Sequence, residues 1–145
     1  MESSFRVRKL KAEAILPRKA TKGASGYDLF ACIDAADIVL ERHPKLVGIG
    51  IALELPHGFD AQIRPRSGLS LKGVGVTLGT IDSDYRGEIM VTMYLFGSQS
   101  SFTISHGDRI AQLVVTRLAD ISMEEAEDLS STERGIGGHG STGIR

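Results

Sequence analysis

Apolar residues in this sequence recur at every second position, and this spacing limits the folds that the chain can adopt. Between Gly48 and Leu55 every odd position carries a large aliphatic residue, whereas every even position is small or charged. A step of two is the side-chain period of a strand that buries one face. The same alternation predicts strands over residues 59–63, 88–96, 102–104 and 109–118. Because turn-forming residues separate these segments, the sequence predicts an all-β fold, either a sandwich or a jelly-roll-like barrel.

Helical periodicity is scarce. The one candidate helix outside a turn runs from Met123 to Leu129, with Ser122 and Glu125 at the spacing of a capping box. From residue 130 onward the chain carries five glycines and several hydroxyl side chains but almost no apolar pattern, so it lacks the means to form a core. A length of 145 residues is that of a single domain. We therefore expect a β-barrel domain over residues 1–129 and a flexible, glycine-rich C-terminal arm over residues 130–145.

Charge and composition argue against several classes of function. Seventeen basic residues balance 18 acidic ones, which leaves no basic surface to attract a nucleic-acid backbone or an anionic membrane. Neither a signal peptide nor a run of about 18 apolar residues is present, so no membrane span is predicted. Cys32 is the only cysteine, and we expect it to be buried as a small hydrophobic residue. These features predict a soluble, intracellular, cytoplasmic protein without nucleic-acid or membrane partners.

Two segments offer chemistry suited to phosphate groups. The stretch from Arg64 to Ser70 follows a predicted strand; its glycine lets an anion approach the backbone, and Arg66 adds a guanidinium for phosphate oxygens. In the C-terminal arm, Arg134, His139 and Ser141 could close over a bound anion and exclude water from it. The residues alone leave two alternatives open, an exposed polar turn for the first segment and a disordered chain end for the second.

Three further segments combine turn residues with groups that bind ligands. The connection from Gly79 to Gly87 contains two carboxylates and an aromatic ring, which suit a general base and a planar ligand. Between Gly23 and Ala31, the carboxylate of Asp28 could serve a hard cation such as Mg²⁺ through water. A strand that follows a turn near residue 107 carries the amide of Gln112. Each segment is equally open to a plain interpretation as a turn followed by a strand.

Taken together and in order, these five segments resemble the five motifs of the trimeric dUTPase family, the dUTP diphosphatases. Each motif alone is short, but five in the right order over nearly the whole chain are highly specific. The matching stretches are Ala24-Ser25-Gly26-Tyr27-Asp28-Leu29, Pro65-Arg66-Ser67-Gly68-Leu69, Gly79-Thr80-Ile81-Asp82-Ser83-Asp84-Tyr85-Arg86-Gly87, Gly107-Asp108-Arg109-Ile110-Ala111-Gln112-Leu113, and Arg134-Gly135 through Gly138-His139-Gly140-Ser141-Thr142-Gly143.

The resemblance implies a jelly-roll-like, distorted β-barrel of the dUTPase (β-clip) type and a homotrimer with active sites between subunits. It also implies Mg²⁺-dependent hydrolysis of dUTP to dUMP and pyrophosphate, which keeps uracil out of DNA and supplies dUMP for thymidylate synthesis. Asp82 is implied as the catalytic general base that activates water for attack on the α-phosphorus. Asp28 is implied to reach the Mg²⁺ through coordinated water, with the metal bound mainly by the triphosphate.

The resemblance further assigns contacts to each part of the substrate. Phosphate oxygens are implied to be held by Arg66, Ser67, Gly68, Gln112 and, at the γ-phosphate, Arg134. Uracil is implied to contact backbone groups of Gly79, Thr80, Ile81 and Met90, and to stack on His139. The ring of Tyr85 is implied to pack on the deoxyribose and exclude a 2′-hydroxyl, while Gly140 and Ser141 add contacts from the arm.

Two positions depart from the motifs, and three other functions stay open. Val76 and Leu95 stand where some relatives carry an asparagine, so the uracil contact made by the first asparagine would need backbone or water. A dCTP deaminase and a bifunctional deaminase–diphosphatase are enzyme alternatives within the same superfamily. A non-catalytic nucleotide-sensing or interaction module is the alternative outside enzymes, although Asp82, Arg66 and Arg134 are all present.

Overall fold

The computed structural model describes residues 4–144, which form short strands and one short helix. Element bounds agree with most of the predicted strands to within two residues. In chain order the elements are β1 (Arg6–Lys9), β2 (Tyr27–Phe30), β3 (Ile38–Leu40), β4 (Lys45–Gly48), β5 (Ile51–Glu54), β6 (Phe59–Arg64), α1 (Ser67–Leu71), β7 (Val74–Val76), β8 (Gly79–Ile81), β9 (Met90–Leu95), β10 (Phe102–Ile104) and β11 (Arg109–Arg117).

All strand pairs are antiparallel, and the strands form four sheets. The largest sheet has the order β2-β11-β6-β8, a second has the order β4-β9-β7, and β1-β5 and β3-β10 are two-stranded. Their inward faces meet in one aliphatic core, and the predicted β fold is confirmed, with the short helix α1 as an addition to the all-β prediction. The largest completely buried side chains include Leu29, Leu40, Ile49, Ile51, Leu53, Ile89, Met93, Ile104, Ile110 and Leu113.

The segment from residue 48 to 55 was predicted as one continuous strand, but the structure divides it between two sheets. The aliphatic side chains at positions 49, 51, 53 and 55 are all buried, as the alternation predicts, but Gly50 and Ala52 between them are buried as well, and among the even positions Glu54 alone is exposed. The chain bends at Gly50, where φ is +74°, a value that favours glycine. A Cβ at this position would lie 2.9 Å from Sγ of Cys32 and 3.0 Å from Cβ of Ala14. Close packing and backbone conformation therefore both require glycine at the bend.

Cys32 lies in the core beside this bend, as predicted. Only 6% of the residue is exposed, and its backbone N–H donates to the carbonyl of Gly48 over 2.8 Å. Burial raises the pKa of the Cys32 thiol above its usual value, because the thiolate would lose its hydration. The side chain therefore acts as a packing group rather than a nucleophile.

The prediction of a helix from Met123 to Leu129 is wrong. These residues adopt no regular structure and are all exposed, with Met123 at 100% and Leu129 at 90% exposure. A seven-residue helix is too short to persist in water without an apolar face packed on the protein, and every residue of this segment is exposed. A capping-box spacing at Ser122 and Glu125 is therefore not sufficient for a helix where tertiary contacts are lacking.

The described residues from 119 to 144 form no strand or helix, and every recorded hydrogen bond of this segment stays within it. Residues 1–3 and 145, which belong to the two ranges predicted for the barrel and the arm, lie outside the described residues. Across residues 4–144, no helix combines the length and apolar character that crossing a membrane would require.

Candidate active site

The largest sheet brings four of the five motif segments next to one another. Strand β2 carries the first segment, β11 the fourth, β6 leads into the second, and β8 begins the third. In the strand register, Gln112 on β11 lies opposite Asp28 on one side and Arg64 on the other. The residues of these segments are therefore neighbours across strands although they lie far apart in sequence.

A charged cluster formed by Asp28, Arg66 and Arg109 occupies the end of this sheet. The carboxylate of Asp28 lies 3.8 Å from Nε of Arg66 and 3.4 Å from Nη1 of Arg109, and only 15% of that side chain is exposed. Nη1 of Arg66 also donates to the backbone carbonyl of Arg109 over 2.9 Å. Two guanidinium groups thus share one carboxylate, which holds them in place while donors remain free for an anion.

The amide of Gln112 is fixed next to the charged cluster. Its Nε2 donates to the carbonyl of Pro65 over 2.9 Å, which links β11 to the loop before α1. Ser67 and Gly68 form the first turn of α1 and are exposed, and Arg66 precedes them in an extended conformation with no side-chain cap. Four of the five predicted phosphate-binding residues, Arg66, Ser67, Gly68 and Gln112, thus lie at one end of the sheet, whereas Arg134 does not.

Gly26 makes room for the Gln112 amide. A Cβ at residue 26 would lie 2.5 Å from Oε1 and 3.2 Å from Cβ of Gln112. We expect Gly26→Ala to displace this amide and to lower the free energy of unfolding by about 1–3 kcal/mol, as overpacking usually does. Urea unfolding measures the loss. Gly23→Ala is the matched control, since a Cβ there meets nothing within 4 Å, and equal losses in the two variants would contradict the proposed clash.

The third motif segment lines a separate cleft with a volume of about 230 Å³. Buried Ile63, Ile81 and Ile89 supply apolar surface, while the exposed side chains of Asp82 and Tyr85 stand at its edge. Such a mixture of apolar surface and a few polar groups is typical of small-molecule sites. The complete lining is Ile63, Gly79, Thr80, Ile81, Asp82, Tyr85, Glu88, Ile89 and Met90.

Hydrogen bonds within the loop that joins β8 to β9 hold Asp82 and Tyr85 together. The backbone N–H of Tyr85 donates to the carbonyl of Asp82 over 3.1 Å, and its hydroxyl donates to the carbonyl of Glu88 over 3.1 Å. A Cβ at residue 87 would lie 2.3 Å from the Tyr85 hydroxyl oxygen, so glycine is required there. The tyrosine ring is therefore fixed against its own loop, next to the cleft.

The arm residues form a small structure of their own. Nε of Arg134 donates to the carbonyl of Gly137 over 2.7 Å, and the backbone of His139 has a φ of +49°. Both side chains are exposed, and so are Gly140 and Ser141. Among the hydrogen bonds and ion pairs of residues 4–144, none joins these arm residues to the cleft or to the charged cluster.

The structure also identifies residues that the sequence reasoning left out. Glu88, Ile63 and Ile89 line the cleft, and Arg109 contacts Asp28. The strand alternation could have suggested the isoleucines, but the contact of Arg109 depends on the pairing of β2 with β11. Val76 and Leu95, the two departures from the motifs, are buried on β7 and β9 and are not among the residues that line the cleft.

Comparison with known proteins identifies relatives along almost the whole chain. The sequence profile of the dUTPase family matches residues 12–143. A deoxyuridine 5′-triphosphate nucleotidohydrolase from Hydrogenobaculum is 50% identical over 143 residues, which cover 96% of this chain and 97% of the relative. The corresponding enzyme of Treponema denticola is 47% identical over 139 residues, covering 94% of this chain and 96% of the relative.

Solved structures of dUTPases have the same fold as this chain. The dUTPase of Staphylococcus bacteriophage 80alpha, solved as a mutant with dUpNHpp, superposes with a TM-score of 0.87 at 26% identity, covering 99% of this chain and 100% of that chain. The phage phi11 dUTPase, described with a structural Mg(II) ion, is similar in fold at a TM-score of 0.77 and 23% identity, covering 87% of this chain and 98% of that chain. The profile match and the identity over nearly full length establish that this chain belongs to the dUTPase family.

Proposed function

We propose that this chain hydrolyses dUTP to dUMP and pyrophosphate, with Asp82 as the general base. The observation that carries the proposal is the position of Asp82 at the edge of the cleft, in a loop that also presents Tyr85. The side chain is exposed and takes part in none of the ion pairs found among residues 4–144, so it can accept a proton from a water molecule without first breaking one. Membership of the dUTPase family supports the same reaction.

In the proposed reaction, a water molecule attacks the α-phosphorus while Asp82 takes its proton. A bond forms between the water oxygen and the α-phosphorus, and the bond from that phosphorus to the oxygen bridging to the β-phosphorus breaks. Pyrophosphate leaves with that bridging oxygen, and dUMP keeps the added oxygen. A carboxylate suits this role because an aspartate is ionised at neutral pH and needs only to hold the proton as the water attacks.

The cleft would select the base and the sugar. Strand β8 is an edge strand of the largest sheet, so one side of its backbone is left unpaired in that sheet. Backbone donors and acceptors of Gly79, Thr80 and Ile81, together with Met90 across the cleft, could then match uracil and not cytosine. The Tyr85 ring would pack on the deoxyribose and leave no space for a 2′-hydroxyl. A polar mismatch and a steric clash both lower turnover by large factors.

The charged cluster would bind the triphosphate. Arg66, joined by Gln112 and the backbone of Ser67 and Gly68, offers charge-assisted and neutral donors to phosphate oxygens. Asp28 is a hard oxygen donor and fits a Mg²⁺ ion held through water, whereas the adjoining guanidinium groups disfavour direct binding of the bare cation. Mg²⁺ would neutralise charge on the triphosphate when bound.

We further propose a homotrimer with active sites shared between subunits, each barrel covering residues 1–129 and each arm residues 130–145. In the described part of the arm, residues 130–144, the hydrogen bonds stay within the segment, and this accords with an arm that binds a neighbouring subunit. There Arg134 would contact the γ-phosphate and His139 would stack on uracil, with Gly140 and Ser141 beside them. The buried thiol of Cys32 accords with a reducing compartment, and we place the activity in the cytoplasm.

A panel of nucleoside triphosphates tests this function. With Mg²⁺ present, we expect pyrophosphate release from dUTP, and a kcat/KM for dCTP and UTP that is lower by about 100-fold or more, because dCTP brings a polar mismatch and UTP a steric clash of its 2′-hydroxyl. A chelator should abolish the activity, and Mg²⁺ should restore it. Equal turnover of dCTP or UTP would contradict the proposed selection, and ammonia release from dCTP would favour the deaminase instead.

A further inference from the structure

Glu54 lies at the end of β5, outside the five motifs. Its carboxylate contacts the loop of residues 82–89, which carries Asp82 and is called the catalytic loop below. Oε1 of Glu54 lies 3.7 Å from Nη2 of Arg86, and Oε2 lies 3.2 Å from Nη1 of Arg6 on the neighbouring strand β1. Glu54 and Arg6 are directly opposite each other in the register of these two strands. One carboxylate therefore connects the β1-β5 sheet to the loop that carries Asp82.

Arg86 in turn donates hydrogen bonds to backbone carbonyls of its own loop. Its Nη1 donates to the carbonyl of Ser83 over 2.6 Å and to the carbonyl of Tyr85 over 3.2 Å. These carbonyls lie in the turn closed by the bond from the Tyr85 N–H to the Asp82 carbonyl. The guanidinium thus fixes the backbone on either side of the turn, and the direction of the Asp82 and Tyr85 side chains follows from that backbone.

The pair between Glu54 and Arg86 is distinctive among the contacts of this loop. The other recorded hydrogen bonds of residues 82–88 remain within the loop, and no second ion pair of these residues is found in the described part of the chain. On either side the chain is fixed by backbone pairing, at Ile81 to β6 and at Ile89 to residues 49 and 51. Between those two points, Glu54 provides the polar link to the barrel.

We propose that Glu54 is a positioning residue that sets the catalytic loop through Arg86; this inference rests on the function proposed above. Glu54 does not line the cleft and acts on Asp82 and Tyr85 only through the guanidinium. Its removal should therefore affect two properties together, the rate of water attack and the rejection of ribonucleotides by the Tyr85 ring. Loss of a merely stabilising surface pair would lower stability and leave both properties unchanged.

The test compares Glu54→Gln with Arg6→Gln. The first change removes the charge that Arg86 faces, while the second removes the other partner of the same carboxylate without touching the loop. Three quantities are measured in each variant: kcat and KM for dUTP, the ratio of kcat/KM for dUTP to that for UTP, and amide hydrogen exchange of residues 83–88. Both members of the pair are about half exposed, so the expected effects are modest.

We expect Glu54→Gln to lower kcat about two- to five-fold, the range that exposed ion pairs support. The dUTP-to-UTP ratio should fall in the same variant, and exchange in the loop should become faster, while Arg6→Gln should match the wild type in all three quantities. In an Arg86→Gln background, Glu54→Gln should add no further loss, because the two residues act as one unit.

Two results would overturn the inference: equal behaviour of Glu54→Gln and Arg6→Gln, or fully additive losses from the Glu54 and Arg86 changes. Wild-type protein that fails to hydrolyse dUTP would instead refute the proposed function. In that case the hydrogen-exchange comparison still decides whether Glu54 holds the loop, so the two failures can be told apart.

Discussion

Asp82→Asn is expected to lower kcat for dUTP by about 10²- to 10⁴-fold, the range attributed to a positioned general base. The asparagine amide keeps the size of the side chain but cannot take the proton of the attacking water. Binding should survive, because the apolar surface of the cleft and the charged cluster are untouched. Steady-state release of pyrophosphate gives kcat, and titration with a non-hydrolysable dUTP analogue gives the affinity.

Asp84→Asn is the matched control for this prediction. Asp84 is an exposed carboxylate two residues further along the same loop, and it is not among the residues that line the cleft. We expect the control to retain activity within about a factor of two, because substitutions of exposed residues outside the core and outside buried polar networks usually have small effects. If the control lost as much activity as Asp82→Asn, the effect would come from loop charge rather than from a general base.

Much of the β architecture follows from alternation, because the period of two decides which side chains enter the core. The pattern from residue 48 to 55 placed Ile49, Ile51, Leu53 and Leu55 inside, and all four are buried. The division of that segment at Gly50 was not predictable from periodicity. It depends on Cys32 and Ala14 packing against the bend, and these contacts arise only in the folded chain.

At the site too, single residues were predictable from the sequence, whereas the contacts between residues far apart in sequence were not. Sequence alone suggested Asp28, Arg66 and Gln112 as ligand-binding groups by their chemistry, and the resemblance of their segments to family motifs gave them roles. Their mutual contacts, including the bond from Gln112 to the carbonyl of Pro65, follow from the order β2-β11-β6-β8, which spacing along the chain does not reveal. Glu54 carried no sequence signal at all, because its partner Arg86 is 32 residues away and meets it only through the barrel.

Deleting residues 134–145 should lower kcat/KM for dUTP by about 100-fold or more. The deletion removes the proposed guanidinium contact of Arg134 to the γ-phosphate and the stacking of His139 on uracil. A hydrogen bond to a charged group contributes about 1.5–3 kcal/mol, and stacking of a base on an aromatic ring about 1–3 kcal/mol. The melting temperature should hardly change, because both side chains are exposed and the described hydrogen bonds of this segment join it only to itself and to the nearby Thr132.

Deleting only residues 144 and 145 is the control, since that change leaves the fifth motif intact, and it should preserve activity.

Co-refolding the chain that lacks residues 134–145 with the Asp82→Asn chain then tests whether the arm acts between subunits. Each inactive chain supplies what the other lacks, so mixed assemblies should regain part of the activity only if the arm of one subunit covers the Asp82 of another. Full activity of the long deletion alone would exclude a role for the arm, and failure of the mixture to recover would favour an arm that covers its own subunit.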